Sequence, residues 1–250
     1  KISIKDMRNS GEKLNVKFNG ILRSEQTDAL REMLKYETGI LEAPTGFGKT
    51  VTCCKLIAER NVNTLIIVFS LQLLKQWEEK LKFFLNIDKI GQIGGGKNII
   101  TNRIDIASIK TIYNNGKFND IVKNYGMIII DECHHSSAYT YESAINKVNA
   151  KYVYGVSATP EKENGHTPII KMQCGNIRYK IDLKEFNKNL NLAMKVYSQK
   201  IHLNFVDKNI NDYSLNEIYN FISKDVIRND KVINDIEQEF NSGKNILVLT

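Results

Sequence analysis

No apolar run in this chain of 250 residues is long enough to span a bilayer, and no secretory signal pattern opens it, so no bilayer-spanning helix is expected. Cysteine is scarce: Cys53, Cys54, Cys133 and Cys174 are the only four. They form no C-x-x-C pair, which argues against a disulfide framework and against a ribbon-type zinc site. Reduced thiols in a cytoplasmic setting are the better reading. Internal repeats and low-complexity tracts are also missing, which sets aside solenoid and array architectures. Tryptophan is reduced to Trp77 alone. Its amphipathic surroundings read as core, with stacking on a base as the alternative.

What is present is ordinary for a soluble globular protein, with 42% hydrophobic and 25% charged residues. The length suits one large domain or two small ones and is ample for a hydrophobic core. The net charge of +7 favours contact with phosphate backbones, or equally reflects a coding bias toward Lys, Asn and Ile.

Residues 1–19 are polar and read as an N-terminal arm. Ser24 precedes an amphipathic stretch with Ala29, Leu30, Met33 and Leu34 at helical spacing. Gly39–Ala43 is a short apolar strand leading into a glycine-rich loop, and a helix follows over Val51–Arg60. Strand and helix patterns then alternate: strands over Thr64–Phe69, Ile104–Ile109, Met127–Ile130 and Tyr152–Ser157, with a helix over Leu71–Leu85. Such alternation predicts an α/β fold with a parallel sheet covered by helices on both faces. After Pro160 the pattern changes. Asn176–Leu190 reads as a crossover or linker, and a second unit opens near Met194 with a strand to about Leu203. Helices are expected over Ser214–Ile222 and Val226–Phe240, Gly243 stops the second, and Asn245–Thr250 reads as a new strand. A chain ending on a fresh strand is expected to be a fragment of a longer protein.

Two motifs carry chemistry. Ala43-Pro44-Thr45-Gly46-Phe47-Gly48-Lys49-Thr50 matches a phosphate-binding loop except for Ala43 in place of the first glycine. Gly46 and Gly48 let backbone N–H groups turn toward phosphate oxygens, and the helix start through Val51 adds positive potential. Lys49 reaches the outer phosphates, and the Thr50 hydroxyl suits Mg²⁺. The second motif, Asp131-Glu132, ends an apolar strand, where ligands of parallel sheets bind. Asp131 is expected to hold Mg²⁺ through water, and Glu132 to orient and deprotonate an attacking water. Gly94-Gly95-Gly96-Lys97 reads either as a second phosphate loop or as a flexible turn. His134-His135 lacks a third ligand, so no metal pair is assigned.

With these residues in place, Asp131-Glu132-Cys133-His134 resembles the DExH box of superfamily 2 helicases. Leu22-Arg23-Ser24-Glu25-Gln26 resembles the adenine-recognition segment of that superfamily, and Ser157-Ala158-Thr159-Pro160 its S-A-T motif. The helix holding Leu73-Leu74-Lys75-Gln76-Trp77 and the strand Ile104–Ile109 resemble its nucleic-acid contact segments. The resemblance covers about residues 20–250 and is nearest to double-strand-DNA translocases of the repair, transcription and restriction type. Gly165–Gly175 looks like helicases of bacterial conflict or defence systems.

The resemblance implies a RecA-like ATP-binding domain over residues 20–182 and a linker over 183–194. Residues 195–250 would begin a second RecA-like domain. The activity implied is ATP-dependent helicase or translocase action on nucleic acid, DNA before RNA, with ATP and Mg²⁺. Arg23, Gln26, Thr45, Phe47 and Val51 would join the ATP contacts. His134 would couple the acidic box to Ser157, Ala158 and Thr159. Ser70, Gln76, Gly95, Lys97, Ser108 and Lys110 would meet nucleic acid. An arginine finger supplied by later motifs lies outside these residues, so near-inactivity is expected of the chain alone. Nuclease, repair or defence domains are expected as further partners. Two other readings remain: a P-loop ATPase that switches proteins, and a binding module without turnover.

Overall fold

The computed structural model describes residues 5–114, 117–118, 120–133, 148–158, 167–182, 186, 198 and 213–248. Two compact units divide the chain, Lys1–Asn191 and Leu192–Thr250.

In the first unit the elements run α1 (Ser24–Leu34), β1 (Thr38–Glu42), α2 (Lys49–Arg60), β2 (Thr64–Val68), α3 (Leu71–Leu85) and β3 (Gly91–Gly94). They continue with β4 (Lys97–Ile99), β5 (Ile104–Ser108), α4 (Ile109–Ile112) and a small hairpin of β6 (Tyr113–Asn114) with β7 (Lys117–Phe118). After a 3₁₀ turn over Asp120–Lys123 come β8 (Met127–Asp131), β9 (Tyr152–Ser157), α5 (Thr167–Cys174) and β10 (Ile177–Lys180). Eight strands form one sheet in the order β10-β1-β9-β8-β2-β5-β3-β4. Every pairing in it is parallel except β3 with β4.

The strand sequences explain this architecture. Each residue of β2, β5 and β8 is buried, as a parallel sheet covered on both faces requires. Alternate residues divide between two cores. Leu41, Ile66, Val68, Met127 and Ile129 face one, with α1, α2 and α3. Ile40, Leu65, Ile67, Ile128 and Ile130 face the other, with α4 and α5. Ser70 caps α3 by accepting from Leu73 N at 3.2 Å. Helices α2 and α3 both stop on asparagine in the left-handed region, Asn61 at φ 53° and Asn86 at φ 50°.

Three segments differ from their sequence reading. The stretch 176–190 contains β10, which lies parallel beside β1 at the sheet edge. Half-exposed and rich in Arg and Lys, it lacks the apolar run of an interior strand. The arm of residues 1–19 is docked: Leu14 and Val16 are buried, and Leu14 N donates to Asn61 O at 2.8 Å. The alternation of Leu14, Val16 and Phe18 is too short to stand out in a polar stretch. Gly94–Lys97 closes the β3–β4 hairpin, with Gly95 at φ 63° and Gly96 at φ 81°. Positive φ at both central residues is the turn that matches strand twist, which explains the glycines without a phosphate.

The described part of the second unit holds α6 (Leu215–Lys224) and α7 (Val226–Asn241). Ser214 and Glu217 form a capping box on α6, and Asp225 Oδ1 accepts from Arg228 N at 2.7 Å to start α7. Residues 245–248 pair with no strand among the described residues, so the expected terminal strand is not formed there. The strand expected between Met194 and Leu203 lies outside the described residues apart from the exposed Ser198. No helix among the described residues is long and apolar enough to cross a membrane.

Asn63, 1% exposed, ties four segments together. Its Oδ1 accepts from Glu12 N at 3.0 Å and Gly126 N at 2.9 Å; its Nδ2 donates to Asn102 O at 3.2 Å and Asn124 O at 2.9 Å. Replacing this side chain leaves buried backbone groups unsatisfied, so Asn63→Ala is expected to destabilise the first unit by ~2–4 kcal/mol. Urea unfolding followed by circular dichroism measures it. A change within ~0.5 kcal/mol, the range of an ordinary surface site, would contradict the keystone role.

Candidate functional site

Parallel register assembles the site. Glu42 lies beside Ser157, Asp131 beside Val156, Ile67 beside Ile130, and Val68 beside Ser108. The carboxyl ends of β1, β9, β8, β2 and β5 therefore share one edge, where parallel α/β sheets bind ligands. The glycine-rich loop leaves β1 at this edge. It turns through Gly46 at φ 80° and Gly48 at φ 89°, and Gly48 caps α2. The first N–H groups of α2 are directed at whatever anion sits in the loop.

Lys49, 9% exposed, donates from Nζ to Ala43 O at 3.0 Å. The same Nζ lies 3.9 Å from Glu132 Oε1. Thr50 and Val51 follow in the first turn of α2, half-buried, while Thr45 is exposed. Glu132 takes φ 49°, a costly conformation for a residue with a Cβ, at the turn where β8 leaves the sheet. Asp131 is 6% exposed and its two oxygens have separate partners. Oδ1 accepts from Glu132 N at 3.0 Å, and Oδ2 accepts from Trp77 Nε1 at 2.7 Å. Burial pushes the Asp131 carboxyl above its usual range; the Trp77 bond opposes that shift and the neighbouring Glu132 charge adds to it.

The loop is also held from α1. Gln26 Nε2 donates to Phe47 O at 2.8 Å, and Gln26 Oε1 accepts from Arg23 N at 3.0 Å. The Arg23 guanidinium donates to Phe47 O as well and lies 6.0 Å from the Phe47 ring. Phe47 is fully buried, and its ring centroid is 6.0 Å from that of Phe186. These bonds use one of the two Gln26 N–H groups and one lone pair of its carbonyl. A separate cleft of about 490 Å³ beside α1 and β10 is lined by Glu25, Asp28 and Asp182 together with Lys180. Three carboxylates make it a poor seat for a triphosphate.

The structure thus brings Arg23, Gln26, Phe47, Gly48, Lys49, Asp131 and Glu132 together. Ser157 is fully buried at the end of β9 and its carbonyl accepts from Ala43 N at 3.0 Å; Ala158 follows it, half-buried. His134 and Thr159 lie outside the described residues. Among the residues expected at nucleic acid, Ser70, Gln76, Gly95, Lys97 and Lys110 are exposed, whereas Ser108 is 4% exposed. A Cβ on Gly94 would lie 2.8 Å from Ser108 Cβ, and one on Gly95 3.3 Å from Leu71 Cδ2. The hairpin therefore packs over Ser108 and against the first turn of α3.

Trp77 is the residue that sequence reasoning under-used. It is 1% exposed, as a core residue should be, yet its N–H reaches Asp131. The signal was available, since a buried indole N–H needs a buried acceptor. Phe186 was missed because it falls in the stretch read as linker. Cys133 is fully buried, and its thiol is held protonated by a hydrogen bond with Cys174 and by burial, which fits packing and not nucleophilic attack.

A Cβ on Gly48 would sit 2.4 Å from Gln26 Nε2, at a φ that side chains resist. Gly48→Ala is expected to cost ~1–3 kcal/mol of stability and to displace Gln26 from Phe47 O. A thermal-unfolding double-mutant cycle with Gln26→Ala checks this. Additivity within ~0.5 kcal/mol would show that the two residues do not communicate.

Residues 19–162 match the family described as "Type III restriction enzyme, res subunit". The DNA 3'-5' translocase XPB2 of Sulfurisphaera tokodaii is 28% identical over 202 residues, which are 81% of this chain and 45% of that protein. The UvsW helicase of bacteriophage T4 superposes with a TM-score of 0.54 at 21% identity, covering 70% of each chain. The Sulfolobus solfataricus SWI2/SNF2 ATPase core in complex with dsDNA superposes at 0.50 and 18% identity, over 67% of this chain and 38% of that one. Both structural likenesses bear on the fold, which is RecA-like. The chain spans about half the length of the relatives it matches. With the match covering more than half of its residues, the chain belongs to the type III restriction enzyme res subunit family, within the superfamily 2 helicases and translocases of DExH type.

Proposed function

We propose that this chain is the nucleotide-binding part of an ATP-dependent translocase or helicase acting on nucleic acid, double-stranded DNA first. The observation that carries the reading is the approach of Lys49 Nζ to within 3.9 Å of Glu132 Oε1 at the mouth of the glycine-rich loop. A buried ammonium beside a carboxylate, at a helix N-terminus and next to a second carboxylate, is the donor set that phosphoryl transfer uses. XPB2 is named a DNA translocase and the SWI2/SNF2 core was solved on dsDNA, which supports DNA, whereas a mimivirus relative is named a putative RNA helicase, which supports RNA.

The donors fit Mg-ATP. The Thr50 hydroxyl is a hard oxygen ligand suited to Mg²⁺, and the Asp131 carboxylate would hold the ion through water. Bound there, the ion would neutralise charge on the outer phosphates. Lys49 would leave Ala43 O for those phosphates, and the loop N–H groups would hold their oxygens in place. Glu132 would orient a water and take its proton. Arg23 and the spare valences of Gln26 would meet the adenine edge, while Phe47 and Val51 shape the loop. His134, with Ser157, Ala158 and Thr159, would relay the state of the site to the nucleic-acid side. There Ser70, Gln76, Gly95, Lys97 and Lys110 would supply backbone contacts with little sequence preference and strong salt dependence, while the buried Ser108 would support the hairpin above it. Residues 20–182 would form the first RecA-like domain, 183–194 a linker and 195–250 the beginning of a second. A cytoplasmic setting is in keeping with four buried free thiols.

Lys49→Ala is expected to abolish binding of a fluorescent ATP analogue. In the longer protein that carries the later motifs, Glu132→Gln is expected to retain binding while lowering nucleic-acid-stimulated turnover by roughly 10²-fold or more. Turnover that Glu132→Gln leaves unchanged would remove Glu132 as the base. Stimulation by duplex DNA separates the motor from a protein-switching ATPase. Turnover equal with and without DNA or RNA would favour the switch.

A further inference from the structure

We infer that Trp77 is a positioning residue for the metal-binding carboxylate, holding Asp131 in one orientation and joining it to the start of α3. The inference rests on the ATP reading above and deepens it. Asp131 is nearly free of solvent contact, so water cannot set the plane of its carboxylate. Two donors set it instead, the Glu132 N–H at 3.0 Å on Oδ1 and the Trp77 indole at 2.7 Å on Oδ2. The first belongs to the adjoining residue and moves with the turn. The second comes from 54 residues away on a different element and is fixed by packing. Trp77 is wedged in the core with Leu74 and Leu81 of its own helix. A short, buried hydrogen bond to a charged acceptor is among the stronger neutral-donor bonds available to a protein.

The same bond reaches the other side of the site. Trp77 lies seven residues beyond Ser70, the N-cap of α3, and so about two helical turns from it. Ser70 is exposed, and the glycine hairpin packs against Leu71 next to it. A rotation or shift of α3 at its exposed end therefore reaches the Asp131 carboxylate directly, without passing through the glycine-rich loop. Because Trp77 is the only tryptophan, its indole is also an intrinsic reporter on this bond.

Two measurements test this. In the ligand-free chain, the single indole N–H resonance in an ¹⁵N–¹H spectrum is expected to be protected from solvent exchange and to shift in Asp131→Asn. An indole N–H that exchanges freely and ignores Asp131→Asn would overturn the bond, whatever the chain binds. The second measurement compares binding of a fluorescent ADP with and without Mg²⁺ in the unsubstituted chain and in Trp77→Phe. Trp77→Phe is expected to leave metal-free binding within about 2-fold and to reduce the enhancement given by Mg²⁺ roughly 10- to 100-fold, the size of a lost hydrogen bond to a charged group. Equal weakening with and without Mg²⁺ would make Trp77 a packing residue and overturn the positioning role. So would no change in either. If Trp77→Phe fails to fold, Mg²⁺ added to the unsubstituted chain with ADP must still shift Trp77 emission; silence there counts against the link. An unsubstituted chain that binds no nucleotide would overturn the ATP reading and the metal part of this role, while the indole resonance still decides the bond.

Discussion

Parallel register is the constraint from which the site follows. Five parallel strands, β1, β9, β8, β2 and β5, are held in a fixed stagger by their backbone ladders. Because each strand runs in the same direction, each delivers its next residue to the same edge. Residues 49, 70, 108, 131 and 157 are scattered in sequence and have no local reason to meet. A slip of one residue in β8 would turn Asp131 toward the opposite face and bring Ile130 to the mouth. The apolar alternation in β8 forbids that slip, since Ile128 and Ile130 belong to one core and Met127 and Ile129 to the other. Hydrophobic sorting between the two faces thus fixes the position of a carboxylate.

Around that frame the polar groups hold one another under tension. Lys49 and Asp131 are both nearly buried, and for Asp131 burial disfavours the charged form. Each is compensated by a fixed partner: a backbone carbonyl and Glu132 for the lysine, a backbone N–H and an indole for the aspartate. Glu132 accepts an unfavourable backbone conformation at the turn that brings its side chain toward Lys49. Lys49 uses a group that a phosphate would also use, so phosphate binding as proposed would exchange its partners, while the indole bond to Asp131 would stay in place. These partners lower the cost of keeping the charges buried while the site waits.

The sequence made the sheet legible because its interior strands are pure apolar runs ending on chemically distinct residues. Thr64–Val68 and Met127–Asp131 could be placed and oriented from such runs alone. The glycine-rich loop and the acidic pair were equally readable, since their chemistry depends on residue type at fixed spacing. What escaped notice depends on partners distant in sequence. β10 is an edge strand with Arg178 and Lys180 in its four residues, and only pairing with β1 makes it a strand. Leu14 and Val16 look like noise in a polar arm until Asn61 and Val62 are beside them. The glycine triplet was ambiguous because a phosphate loop and a primed hairpin turn make the same demand for positive φ. The partner strand, Lys97–Ile99, settles which one applies.

Gln26 shows how the loop and α1 act as one device. Its amide spends one donor on Phe47 O and one lone pair on Arg23 N, and so reads the state of the loop before any base arrives. Gly48 has to be glycine partly because that amide occupies the space a Cβ would fill. Phe47, whose carbonyl receives both Gln26 and Arg23, is also the buried side chain that packs toward Phe186. A base pulling on Gln26 therefore pulls on the same peptide that begins the anion cradle. The loop carries Lys49 directly on to Glu132, and Glu132 shares its turn with Asp131. The sites proposed for base, phosphate, metal and water would thus be linked through a chain of bonded neighbours short enough for a change at one end to be felt at the other without a large motion of the fold.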